Sequence, residues 1–229
     1  MEYAAARASI TAAVSLILLL SLSVAWPLAT IAEETQCPFA GKRPPLGEIL
    51  KGSASQRPPL CKANLAGTNL AGADLSGADL TGANLKGSNL ARTNLKRSSL
   101  VGADLAGAHL GKANLNGTRL AGADLGGANL TDADLAGADL TKVDLAGAAL
   151  TGADLTGANL TGAKLNNANL KSAKLNNANL SNANVTEAYL GSAHLESTNL
   201  TSVKGITCEQ VRAAKTDRGT KLPSGMKCN

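Results

Sequence analysis

From residue 65 to residue 200 every fifth position is large and apolar: 28 positions, of which 27 are Leu and one is Val185. Two residues before each stands a small residue, Ala in most units and Thr, Ser or Val in the rest. Neither the 3.6-residue period of a helix nor the two-residue period of a strand generates this spacing. A fixed internal repeat of five therefore decides the architecture before any other signal is weighed. In the unit Ala73, Asp74, Leu75, Ser76, Gly77 the Ala and Leu lie two apart, so an extended segment points both to one face and Asp74 to the other. Ser76 and Gly77 then break the alternation. Three extended residues followed by a two-residue corner make a bending chain that keeps Leu and Ala inside if every corner turns the same way.

The corners carry their own signal. The last position of the unit is Gly in 15 of 28 units, among them Gly67, Gly72, Gly77, Gly82 and Gly122. Gly is the residue a type II turn requires where φ is positive. From Asn167 onward that position holds Asn, Ser or Glu instead: Asn167, Ser172, Asn177, Asn182, Glu187, Ser192, Ser197 and Ser202. Asn tolerates positive φ, Ser and Glu much less so. A change of turn type is expected near residue 165.

The run ANLAGTNLAGADLSGADLTGANL (63–85) resembles the pentapeptide-repeat proteins, whose unit is A(D/N)LXX. The resemblance implies an all-β fold, a right-handed quadrilateral parallel β-helix with four units to a coil, and so about seven coils. At about 4.8 Å per coil the rod is about 34 Å long. It also implies a solid Leu/Ala axis with no internal pocket, and hence no cofactor, no catalytic residue and no metal site. The organisation expected is an export segment or anchor at 1–32, an N-terminal cap segment at 33–62, repeats at 63–204 and a C-terminal helical cap at 205–229.

The flanks read as covers for the two exposed edges of such a stack, which would otherwise invite aggregation. Thr207 and Gln210 form a capping-box pattern, so a short helix is expected from there to about Lys215, with Val211 packed down. Before the repeats, the segment between Cys37 and Cys61 contains five prolines and has room only for a short helix near Leu46–Lys51. Four cysteines permit three pairings. Two of them would join ends about 34 Å apart on the implied rod, whereas a disulfide needs Cα atoms within about 7 Å. Cys37–Cys61 and Cys208–Cys228 remain as disulfides. A zinc site competes, but no His lies near either pair and no Cys-x-x-Cys is present.

Residues 8–32 carry no charge, Arg7 precedes them, and Thr30, Ile31, Ala32 offer small residues at a cleavage site. This pattern fits an export signal; the stretch is also long enough for an uncleaved membrane anchor. Paired cysteines and export agree on an oxidising compartment, and exported relatives of the resembled family point to the periplasm or a thylakoid lumen.

Function is then confined to outward positions. If residues 20 apart stack, Asp104, Asp124 and Asp144 make an acidic ladder open to cations or a basic partner, with Asp134 and Asp154 on another face; the alternative is a solvated consensus position. Lys86, Arg92, Lys96 and Arg97 concentrate in the second coil and suit an anionic surface, a partner, or a gatekeeper role against aggregation. His109 and His194 fall on different faces and suggest neither nucleophile nor metal ligand. The 28 units, residues 63–202, hold 11 acidic and 10 basic residues. A net charge near zero disfavours both nucleic-acid binding and the DNA mimicry by which some proteins of the resembled family inhibit DNA gyrase. A monomeric, non-catalytic scaffold for an unidentified protein partner is the expected role, with membrane contact only through an uncleaved N-terminal segment.

Overall fold

The computed structural model describes residues 37–45, 47, 50 and 58–228. The chain divides into two units, Met1–Glu33 and Glu34–Asn229. The first, where the export segment or anchor is expected, lies outside the described residues, as does most of the helix expected near Leu46–Lys51.

Parallel bridges join each outward residue to the one 20 further along, without a break from Asn64↔Asn84 to Asn184↔Lys204. Four units therefore close one coil, and the repeats form a right-handed parallel β-helix with four walls. Backbone pairing accounts for nearly every N–H of a unit. Leu65 N–H donates to Asn84 O one coil ahead (2.7 Å), and Asn84 N–H donates back to Ala63 O (2.9 Å). At the corner, Gly67 N–H donates to Lys86 O (2.9 Å), and Thr68 N–H closes the turn onto Leu65 O (3.2 Å). The remaining donor, on the first corner residue, is met by the outward Asx side chain: Ala66 N–H donates to Asn64 Oδ1 (3.3 Å). Asp and Asn thus recur before the Leu because a short carboxyl or amide oxygen two residues back caps the corner.

The axis is filled. Every Leu from Leu65 to Leu200 is at most 2% exposed. Most small-position residues are also buried, and six of them are hydroxyl residues: Thr68, Ser88, Thr93, Ser98, Thr118 and Thr198. Thr93, Thr118 and Thr198 donate to the Leu carbonyl one coil back, Leu70 O, Leu95 O and Leu175 O, at 2.7–2.8 Å. Thr68 donates to Leu65 O at 2.6 Å. Ser88 Oγ and Ser98 Oγ have no hydrogen-bond partner among the described residues.

Two expectations need correction. The turn does not change near residue 165: φ is 70° at Gly162, 59° at Asn167, 58° at Glu187 and 57° at Ser192. The inter-coil bond at the corner is kept as well, Asn167 N–H to Thr186 O at 3.0 Å. Pairing above and below fixes the corner geometry, so side chains with no preference for positive φ are held there. The coil also begins one unit before residue 63. Leu60 is buried and donates to Asp79 O, and Lys62 takes the corner conformation at φ 54°. Pro58 and Pro59 disguise that unit in the sequence.

Both edges are covered. Ala40 pairs antiparallel with Ala63, Asn64 N–H donates to Lys42 O, and Arg43 donates to Ala66 O. At the other end α1, Cys208–Ala213, starts at Thr207 with both capping-box bonds formed and Val211 buried. Gln210 Nε2 reaches further, donating to Val185 O (3.1 Å) and Ala188 O (2.8 Å) of the last coil. After the helix, Lys215 and Lys221 pair with His194 and Asn199 as a partial eighth coil. Disulfides Cys37–Cys61 and Cys208–Cys228 staple the covers, with Cα–Cα distances of 5.3 and 5.1 Å.

Candidate interaction walls

Stacking at a period of 20 sorts the outward residues into four columns. The first wall runs Asn64, Asn84, Asp104, Asp124, Asp144, Lys164, Asn184, Lys204. The second carries no charge: Asn69, Asn89, His109, Asn129, Ala149, Asn169, Tyr189. The third holds Asp74, Asp134, Asp154 and Lys174, and ends at His194 and Lys215; the fourth holds Asp79, Arg119, Asp139 and Lys221. Tyr189 is 55% exposed, the one large apolar side chain at the surface among the described residues.

Asp104, Asp124 and Asp144 do share a column, and their chemistry is partly committed. Each uses Oδ1 to accept the N–H of the corner two residues on: Ala106 (3.0 Å), Gly126 (2.8 Å) and Ala146 (3.0 Å). Below Asp144 stands Lys164, whose Nζ lies 2.8 Å from Asp144 Oδ2. The third wall repeats the device with Lys174 and Asp154 at 3.1 Å. Partial burial works against the charge of Asp144. Hydrogen bonds from Lys164 and the Ala146 N–H, with the Lys164 charge, outweigh it and hold the carboxyl below its ordinary 3.8. Asp154 is likewise lowered, burial being outweighed by Thr156 and Lys174. The hydrogen bond to Asp144 raises Lys164 above 10.5. The acidic ladder is therefore a mixed column, acid over base, which only the 20-residue period reveals.

Lys86, Arg92, Lys96 and Arg97 do not share a column. Each occupies a corner position, and they spread over three corners: Lys86 between the first and second walls, Arg92 between the second and third, Lys96 and Arg97 between the third and fourth. Arg92 and Arg97 hold φ of 58° and 56°. Three of the four therefore border the third wall of the second coil, and no single wall carries them all.

His109 and His194 lie on different walls. His194 has a carboxylate neighbour that the spacing did not suggest: Nδ1 is 3.4 Å from Glu196 Oε1, and Nε2 is 3.2 Å from Lys215 Nζ. Glu196 in turn accepts from Asn176 Nδ2 at 2.7 Å. Lys215 reaches His194 only because the chain returns after α1. Among the described residues no three His, Cys, Asp or Glu side chains are grouped to hold a metal, and no helix is long and apolar enough to cross a membrane.

A sequence profile described as pentapeptide repeats matches eight copies over residues 62–97, 98–137, 128–167 and 163–201. Among solved structures the chain is similar to QnrB1, a plasmid-mediated fluoroquinolone resistance protein, at 20% identity and a TM-score of 0.48, covering 71% of this chain and 81% of the other. It is similar to HetL, a pentapeptide repeat protein involved in heterocyst differentiation regulation from the cyanobacterium Nostoc sp. strain PCC 7120. Identity there is 35% and the TM-score 0.27, over 64% of this chain and 76% of the other. A pentapeptide repeat protein from the Arabidopsis thaliana thylakoid lumen shows 25% identity and a TM-score of 0.21, over 72% and 86%. No curated protein matches the chain.

Proposed function

The chain belongs to the pentapeptide-repeat proteins, and on that premise we propose that it is an exported, non-catalytic rod whose walls serve as a protein-interaction scaffold in the periplasm or a thylakoid lumen. One observation carries this reading: Leu side chains occupy the axis from Leu65 to Leu200 with at most 2% exposure. Catalysis needs polar groups converging in a concavity, and a filled axis leaves the outer walls as the working surface. Two disulfides support an oxidising compartment, in accord with the uncharged stretch at 8–32. Asp104 and Asp124, their Oδ1 atoms spent on corners, keep Oδ2 without a hydrogen bond among the described residues. They are the residues of choice for contacting a basic protein.

Affinity capture from the exported compartment tests the proposal, with the native chain and an Asp104→Lys, Asp124→Lys variant as paired baits. The reading expects a defined protein held by the first and lost from the second. Identical captures from both baits would remove the first wall from the proposal. Inhibition of DNA supercoiling by the purified chain would replace the scaffold with a nucleic-acid mimic.

A further inference from the structure

We propose that a second copy of this chain docks antiparallel on the first wall, in a register set by charge. From the third coil onward that wall reads Asp104, Asp124, Asp144, Lys164, Asn184, Lys204. Two identical flat walls meet face to face about a two-fold axis in one of two ways. With the axis along the rod, every residue meets its own copy, so Asp104, Asp124 and Asp144 each face an Asp and Lys164 and Lys204 each face a Lys. With the axis across the rod the copies run antiparallel, and its height selects which coil meets which.

Placed midway between Asp144 and Lys164, the axis sets Asp144 against Lys164 of the second copy, Asp104 against Lys204, and Asp124 against Asn184. No like charges oppose one another. Half a coil either way sets Lys164 or Asp144 against itself. An axis one coil further on, between Lys164 and Asn184, opposes no like charges but pairs only Asp144 with Lys204, so the register about Asp144 and Lys164 is favoured because it forms twice as many opposite-charge pairs. At the axis each Lys164, already 2.8 Å from its own Asp144, gains a second carboxylate in a four-charge cluster.

The edges of the wall allow the approach. One corner beside it is built from Ala106, Gly107, Gly126, Gly127, Ala146 and Gly147, followed by Asn166, Asn167, Thr186 and Glu187, and on the other Lys142 is the single long side chain between residues 121 and 182. The third wall has a similar acid-over-base column in Asp154 and Lys174. Its corners, however, carry Arg92, Lys96, Arg97 and Lys112, which would hold a flat neighbour away. The contact is small. Five steps of about 4.8 Å and a wall about 10 Å wide give on the order of 250 Å² per copy, against about 800 Å² in a standard stable interface. Association is consequently weak and sensitive to salt. A monomer was the expectation from sequence; the self-complementary column appears only when residues 20 apart are stacked.

Sedimentation equilibrium of the purified chain, from micromolar to near-millimolar concentration at low ionic strength, is the test. The expected result is a monomer–dimer equilibrium that shifts to monomer as salt rises. Asp104→Lys weakens it about tenfold or more, and adding Lys204→Asp to that variant restores it because the swapped pair meets across copies. A second measurement fixes the register. Cysteines introduced as Asp104→Cys and Lys204→Cys lie about 24 Å apart within one chain, too far to pair with each other. Oxidation should yield a covalent dimer from this variant and none from Asp104→Cys alone. A monomeric mass at every concentration, or a dimer indifferent to Asp104→Lys, overturns the inference. Either result leaves the scaffold reading to its own test, the capture of a different protein.

Discussion

At the scale of the residue, each position of the unit has one physical duty: a small side chain and a Leu inside, an Asx oxygen capping the corner, and two residues to turn. Departures are where stability should respond. Ser88 and Ser98 bury hydroxyls without hydrogen-bond partners among the described residues, and an unmet buried polar group costs about 1–3 kcal/mol. Ser88→Ala and Ser98→Ala should therefore each raise stability by about 1 kcal/mol or more, read as a higher urea midpoint. Glu187 holds φ at 58°, where a side chain costs on the order of 1 kcal/mol relative to Gly. Glu187→Gly should stabilise by about that amount in the same assay. The Leu register was legible in sequence because one face cannot be shared between inside and outside. The corner conformation past residue 165 was not legible, because stacking above and below overrides what Asn167 or Ser192 prefers alone. The corner-capping duty of Asp104 was also hidden: consensus Asx reads as surface until the Ala106 N–H is placed beside it.

At the scale of the element, the covers and columns matter more than any one unit. Gln210 closes the capping box with Thr207 and also donates to Val185 O and Ala188 O. Gln210→Ala removes three bonds at once and should lower stability by about 1–3 kcal/mol. Faster amide exchange in α1 and the last coil would check it. The pair Asp144–Lys164 supplies a pH signature. The Asp144 carboxyl is lowered from 3.8, so its contribution is present above that value and fades as pH falls through the depressed one. Lys164 is raised from 10.5, so its contribution is present below that value and fades as pH climbs through the raised one. Thermal melts of the native chain and Lys164→Met should differ near neutrality and converge at both extremes. Sequence reading found the acidic residues but missed their bases. Lys164 interrupts the Asx consensus, and Lys204 follows the last Leu, in a unit where Gly205 stands at the Leu position.

At the scale of the whole repeat unit, coils touch only their neighbours, so stability is close to a sum of coil and interface contributions and loss begins at ends. The two ends are unequal. Corners in the first five coils are mostly Gly, while from Asn167 to Ser202 all eight positive-φ corners carry side chains. The C-terminal coils therefore depend on their cover, where Cys208–Cys228 closes a separation of 20 residues and contributes about 3 kcal/mol by chain-entropy reckoning. Replacing Cys208 and Cys228 with Ala should let limited proteolysis trim the chain from its C-terminal side. Replacing Cys37 and Cys61 should leave those last coils protected. A different consequence follows from four units closing one coil. Deleting any single pentapeptide leaves the Leu spacing intact but rotates everything downstream by a quarter turn. Cut between Asp144 and Lys164, such a deletion carries the lysine around to the adjacent side, while a deletion of 20 residues shortens the molecule by one storey and keeps its phase. Insertions and losses in lineages of this chain thus act as a dial that re-aims surface chemistry over an interior that never notices.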